Sequence, residues 1–357
     1  MVTRKEFIRQ ALAVAAGTTW LGLHRVSARQ KPTSPHLDFL AFDLHAHPGR
    51  FYRRGISNYA GDEGVRKTVE EMNTGGLSGA FFSTVVDTLV TTRTDRGIVP
   101  ARTFTKGEAW TEYKRQIAEL NALCAVLPLR KATSLQHLLD RTSNQVAAFF
   151  ACEGGDFLES ADQLDEIYAD GVRAIQLVHY APNPLGDLQT YPSMHNGLSN
   201  LGKAVVRKMN VLGMVVDVAH ASFKTVSDVV DISDKPIILS HSILKLGEDR
   251  PLAARALAIE HAKVVAAKGG VIGAWPSGFN TSFDDFIDNI LRLIDVAGID
   301  HVGLGTDMDS NYKPVLDSYL QLLPWTEALR ARGLTSEEVR KVAGANVVRV
   351  LEAVIGE

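Results

Sequence analysis

His45 and His47 stand two residues apart at the close of an apolar run, in the segment Phe42-Asp43-Leu44-His45-Ala46-His47-Pro48. In an extended strand, residues i and i+2 share a face, so both imidazoles can reach one metal ion. Alone the pair carries little weight, because His-x-His is also met as an ordinary surface or hydrogen-bonded pair. The other polar residues that end apolar runs give it weight. Glu153 follows the run 146–152, His179 follows 172–178, His220 follows 214–218, His241 follows 237–239 and Asp307 follows 302–305. Five of the 11 histidines thus sit at such an end, a placement that chance would rarely produce.

Four histidines with a carboxylate exceed the three protein ligands of a usual catalytic zinc, and they fit two divalent ions bridged by a shared carboxylate. His45 and His47 are assigned to one ion, His220 and His241 to the other, and Glu153 to the bridge. A water held between two such ions is acidic enough to serve as hydroxide near neutral pH. Asp307 becomes the candidate proton shuttle, and His179 the stabiliser of a developing oxyanion. Zinc is the expected metal, although manganese, cobalt and iron accept the same ligands.

The elements that must carry these residues are apolar runs at 39–44, 79–86, 146–152, 172–178, 214–218, 237–239, 270–275 and 302–305. Segments of helical periodicity lie between them, at 112–123, 161–168, 201–209, 256–267 and 283–297. Continuous apolar strands alternating with helices imply parallel strands buried on both faces. Eight such units predict a (β/α)8 TIM-type barrel, whose active sites lie at the carboxyl ends of the strands. A doubly wound open sheet is the alternative, since periodicity does not show closure. Residues 87–111, rich in Thr, Arg and Gly, read as a long excursion after the second strand, and residues 335–354 as a pair of helical pieces.

Composition narrows the partners. Hydrophobic residues at 45%, charged residues at 22% and a net charge of −3 describe a globular chain without the basic footprint of a nucleic-acid binder. Only Cys124 and Cys152 are present, too few for a zinc ribbon or a disulfide framework, so any metal falls to His and carboxylate ligands. Residues 1–28 read as an export signal: Arg4, Lys5 and Arg9 precede an alanine-rich apolar stretch, and Val26-Ser27-Ala28 suits a signal peptidase. Thr3-Arg4-Lys5-Glu6-Phe7-Ile8 resembles a twin-arginine signal with Lys5 in place of the second arginine. Residues 29–35 are a linker and 36–357 a single domain. The expected location is periplasmic or extracellular, with membrane anchoring if the leader is retained. No stable membrane span is expected in the mature protein.

Taken together, the segments at 42–48, 152–155, 171–179, 217–222, 239–242, 301–309 and 344–349 resemble the membrane dipeptidase (renal dipeptidase) family of zinc peptidases, within the amidohydrolase superfamily. The resemblance implies a binuclear zinc dipeptidase on a (β/α) barrel, with Glu153 bridging and His179 near the scissile carbonyl. It further implies an arginine after the sixth strand that grips the dipeptide's terminal carboxylate, for which Arg250 is the match. Familiar members carry His-x-Asp where this chain has His45-x-His47, a change that removes one negative charge from the metal's surroundings. The substrate expected is a dipeptide, and a homodimer is compatible with the reading. Alternatives are another metal-dependent hydrolysis, of a lactone, a cyclic amide or an N-acyl amino acid, and a binding protein without turnover.

Overall fold

All eight apolar runs form strands. The computed structural model describes residues 37–356 apart from positions 57, 58, 60, 96, 141, 144, 248 and 251. The export signal expected at 1–28 and the linker at 29–35 lie outside the described residues. In chain order the strands are β1 (Phe42–Ala46), β2 (Gly79–Val85), β3 (Thr91–Thr94), β4 (Gly97–Pro100), β5 (Leu129–Lys131), β6 (Val146–Glu153), β7 (Val172–Gln176), β8 (Val215–Asp217), β9 (Ile238–Ser242), β10 (Val271–Ala274) and β11 (Val302–Leu304).

The main sheet runs β2-β1-β11-β10-β9-β8-β7-β6, and β2 pairs with β6 to close the ring. That closing seam is parallel from Gly79↔Ala147 to Val85↔Glu153. The fold is therefore a (β/α)8 barrel, with β5 added in parallel outside the ring against β6. The excursion after β2 carries the antiparallel hairpin β3–β4.

Strand alternation explains where the core sits. In β6 the row Ala147, Phe149, Ala151 belongs to one cluster with Phe42, Phe81, Val215, Ile238 and Val271, all from barrel strands. The intervening Phe150 and Cys152 pack with the helices in the outer layer. Phe42, Phe81 and Phe149 meet with ring centroids 5.3 to 6.0 Å apart. Val347, Val350, Leu351 and Val354 of the helix Asn346–Ile355 join this interior cluster. The amino end of the barrel is thus filled with apolar side chains. Glu153 continues the inward row of β6 past Ala151, so it emerges above that filling, at the carboxyl end.

Among the described residues no helix is long and apolar enough to cross a membrane.

Candidate metal centre

Strict alternation would not bring all the histidines inward, because Phe42 and Leu44 already occupy the inward positions of β1. The register of β1 against β2 shifts between Asp43 and Ala46. A second shift separates Ile272 from Ala274 in the β10–β9 ladder, beside His241. Such irregularities re-aim side chains at barrel rims, and here His45 and His241 come ring to ring at 4.3 Å. Close backbone approach helps at this point. A Cβ on Gly273 or Gly305 would run into the Ser240 carbonyl oxygen, so only glycine fits at either position.

Two buried aspartates brace the strand ends. Asp43 Oδ1 accepts the backbone N–H groups of His45 (3.0 Å) and Thr306 (2.9 Å), and its Oδ2 accepts the Tyr319 hydroxyl at 2.6 Å. Asp217 Oδ1 takes the N–H groups of Ala219 (2.9 Å) and Ser240 (3.0 Å). Each carboxylate ties its own strand end to a neighbouring strand one to three residues from a site histidine.

The side chains converge on Glu153. Its Oε1 lies 3.3 Å from His45 Nε2, 3.5 Å from His220 Nε2 and 3.7 Å from His241 Nε2, while Oε2 lies 3.2 Å from His47 Nε2. Among the described residues, two groups have the spacing to hold a metal ion: His45, His47, Glu153 and Glu153, His220, His241. Glu153 belongs to both. Within each pair the Nε2 atoms face one another, at 3.1 Å for His45–His47 and 3.0 Å for His220–His241. Two imidazole nitrogens so close, inside a buried pocket, have chemical sense only with a proton or a cation between them. The remaining ring nitrogens are held from behind. His47 Nδ1 donates to the Ser83 carbonyl at 2.7 Å, and His241 Nδ1 meets Ser240 Oγ at 3.0 Å. With Nδ1 carrying the proton, the His47 Nε2 lone pair points into the cluster, as ligation requires.

The electrostatics agree. Burial, reinforced by the Arg255 guanidinium for His220 and by the neighbouring imidazoles for both rings, holds His220 and His241 well below the ordinary histidine value. They stay neutral and able to bind a cation. Burial opposes protonation of His47 too, but Asp307 and Glu153 outweigh it and raise that group well above the usual range. Glu153 is held well below the usual carboxylate value by surrounding imidazoles, against its own burial. The chain's own groups thus balance the carboxylates with protons, which a bound cation would displace.

Asp307 Oδ1 stands 3.3 Å from His47 Nε2. Its backbone has φ 53°, and His220 has φ 64°. Non-glycine residues in this region are uncommon and concentrate at functional sites. His179 Nε2 reaches Glu153 Oε1 at 3.3 Å, while its Nδ1 is held by Asp87 Oδ1 at 2.8 Å.

Arg250 is engaged by other partners. Its guanidinium pairs with Asp285, donates to the Phe279 carbonyl at 3.2 Å and lies over the Phe279 ring. The guanidinium that faces the cluster belongs to Arg255, buried at 3% exposure and close enough for its charge to act on His220 and His241. Gln189 Oε1 accepts its Nη1, whereas Nε and Nη2 have no hydrogen-bond partner. The short interval from Arg250 to Arg255 hides the choice in the sequence. Asp87, Asp43 and Asp217 also escape a reading of the sequence; the patterns Asp-x-His and Asp-x-x-His are available for the last two, and no pattern marks Asp87.

With this geometry established, the family comparison is decisive. The model of the membrane dipeptidase family (peptidase family M19) matches residues 36–355. The chain belongs to that family. It is 31% identical over 227 residues to an uncharacterized dipeptidase of Schizosaccharomyces pombe, an alignment covering 59% of this chain and 53% of that protein. To the dipeptidase tcpJ of Claviceps purpurea it is 31% identical over 231 residues, covering 59% and 52%. The chain spans about half the length of the curated relatives it matches. A metallo peptidase from Rhodobacter sphaeroides, liganded with a phosphinate mimic of the dipeptide L-Ala-D-Ala, shares the fold with a TM-score of 0.74 at 20% identity, covering 88% of this chain and 99% of that one.

Proposed function

We propose that this protein is an exported, metal-dependent dipeptidase that holds two divalent ions, most simply zinc. The observation that carries the reading is Glu153, which belongs to both groups spaced to hold an ion, with Oε1 facing His45, His220 and His241 and Oε2 facing His47. Four imidazoles and one carboxylate suit zinc, and equally manganese, cobalt or iron. Bound there, the ions would polarise a peptide carbonyl and acidify a water for attack.

The chain's own residues then have these parts. Arg255, with Nε and Nη2 free, grips the terminal carboxylate of the dipeptide through a charge-assisted pair. This assignment replaces Arg250, whose guanidinium is already paired with Asp285. His179, kept charged by Asp87 and Glu153, donates through Nε2 to the oxyanion that forms at the scissile carbonyl. Asp307 takes a proton at Oδ1 and returns it to the leaving amine. The products are two amino acids.

Metal analysis combined with a dipeptide-library assay tests the reading. About two ions per chain with peptide turnover supports it; fewer than one ion, or no turnover with full metal, defeats it. A second reading keeps the metals and changes the bond, to a lactone, cyclic amide or N-acyl amino acid. His47, in place of the family's aspartate, favours that reading, and the same assay with those substrates separates the two.

A further inference from the structure

Tyr180 comes directly after His179 in the connection that follows β7, and nothing in the proposed chemistry uses it. Its backbone N–H is tied to Asp87 Oδ2 at 3.0 Å, so it shares the support that holds His179. Its ring centroid lies 4.5 Å from that of His179 and 4.8 Å from that of His220, with the Tyr180 and His220 planes at 87°. Both histidines are buried, whereas Tyr180 keeps part of its surface exposed.

The topology shows where this side chain goes. Strands β7, β8 and β9 are neighbours in the ring, and they lead to Tyr180, His220 and Arg255 in turn. The Tyr180 phenol interacts with the Arg255 guanidinium, so the side chain passes over His220 from the β7 side to the β9 side. Burial lifts the phenol's value, Arg255 pulls it down, and Asp307 and Glu153 push it up, which places the hydroxyl among the charged groups of the site. The aligned hydrogen bond of Arg255 goes elsewhere, to Gln189, whose own N–H is fixed to the His220 carbonyl at 2.7 Å. A carboxylate has about four lone-pair positions, more than one guanidinium fills, so a second donor beside Arg255 has a place to act. In the dipeptidase reading the C-terminal residue of the substrate runs from the scissile carbonyl at His179 to its carboxylate at Arg255. Tyr180 spans that interval.

We propose that Tyr180 is a substrate-binding residue, its hydroxyl donating beside Arg255 to the terminal carboxylate and its ring lining the path of the C-terminal residue. The class of substrate rests on the dipeptidase reading.

Calorimetric titration of the metal-loaded protein with N-acetylalanine, and with its amide as the neutral control, reads this contact without turnover. The acid should bind better than the amide. Tyr180→Phe should weaken the acid by about tenfold or more, the effect of losing a hydrogen bond to a charged group, and leave the amide unchanged. In parallel, the variant should raise KM for Ala-Ala by a similar factor with kcat nearly unchanged, and alter turnover of alanyl-alaninamide little. Phenylalanine keeps the ring beside His179 and His220, so metal content and melting temperature should match those of the unaltered protein. Acid binding that is absent or unmoved by the substitution, an equal loss for acid and amide, a loss confined to kcat, or loss of metal overturns the proposal. Acid binding that depends on Tyr180 in a protein that does not turn over dipeptides would defeat the dipeptidase reading alone and uphold the carboxylate contact.

Discussion

Asp87 Oδ1 lies 2.8 Å from His179 Nδ1 across 92 residues of sequence, and Asp87 Oδ2 accepts the N–H groups of Tyr180 and Ala181 at 3.0 Å. One carboxylate thus fixes both the ring and the backbone of the residue assigned to the oxyanion. Burial alone would lower the His179 value, but Asp87 and Glu153 bring it up from 6.5 to about 9. With the folded value raised, protonation stabilises the fold fully below about pH 6.5, and this contribution is lost as pH rises through about 9. Metal-free protein should therefore melt at progressively lower temperature between those two values. Asp87→Asn should flatten that slope and, in the loaded enzyme, cut kcat at least tenfold. A circular-dichroism melt series in chelator checks the first expectation; an unchanged slope would refute the pairing's electrostatic role.

Glu153→Gln keeps the volume of the side chain but replaces one carboxylate oxygen with an amide nitrogen that cannot ligate. Metal content, measured by plasma emission, should fall from about two ions to one or fewer per chain. Ligands bound far above their dissociation constants stabilise by about 4 kcal/mol at a thousandfold excess. A chelator should therefore lower the melting temperature of the unaltered protein by on the order of 10 °C. In the variant the same treatment should move it far less, and an equal shift in both would remove Glu153 from the metal's coordination.

Arg255 and Arg250 can be told apart kinetically. Arg255→Ala removes a buried charge-assisted pair with the substrate carboxylate, worth about 1.5–3 kcal/mol. That predicts a loss of about 10- to 100-fold in kcat/KM for dipeptides, carried mainly by KM. Dipeptide amides, which lack the carboxylate, should lose much less. Arg250→Ala breaks the contact with Asp285 and the Phe279 carbonyl, so it should alter melting slightly and KM hardly at all. The reverse pattern would restore Arg250 as the clamp.

The strands are legible because parallel strands buried on both faces read as predominantly apolar runs, and Glu153 and His220 stand out as ionisable side chains just past the ends of such runs. The parts of the site that the sequence hides depend on through-space pairing. The register shifts in β1 and β9 that turn His45 and His241 inward leave no compositional trace. Asp87 sits in an excursion without periodicity, and its partner is known only once β2 and β7 lie on the same rim. Arg250 is the match the sequence offers for the clamp, and only the structure, which pairs Arg250 with Asp285 and buries Arg255 beside His220 and His241, points to the arginine five residues on. The helix Glu63–Gly75 and the hairpin β3–β4 are likewise absent from the apolar pattern.

Asp307 offers the sharpest test of the proposed chemistry, because its backbone allows a clean substitution. At φ 53° most residues would be strained, but asparagine tolerates this region nearly as well as aspartate. Asp307→Asn should therefore fold normally and keep the backbone bond from its N–H to the His45 carbonyl at 2.9 Å. It would lose only the ability to take and return a proton. General acid–base catalysis of this kind contributes about 10²–10⁴-fold. Turnover of dipeptides should drop by that factor while KM and metal content stay close to those of the unaltered protein. Metal loss in the variant would instead make Asp307 a ligand, consistent with its 3.3 Å approach to His47 Nε2. Near-normal turnover with full metal would assign the proton transfer to another group, with His179 the next to examine, since its Nε2 lies 3.3 Å from Glu153.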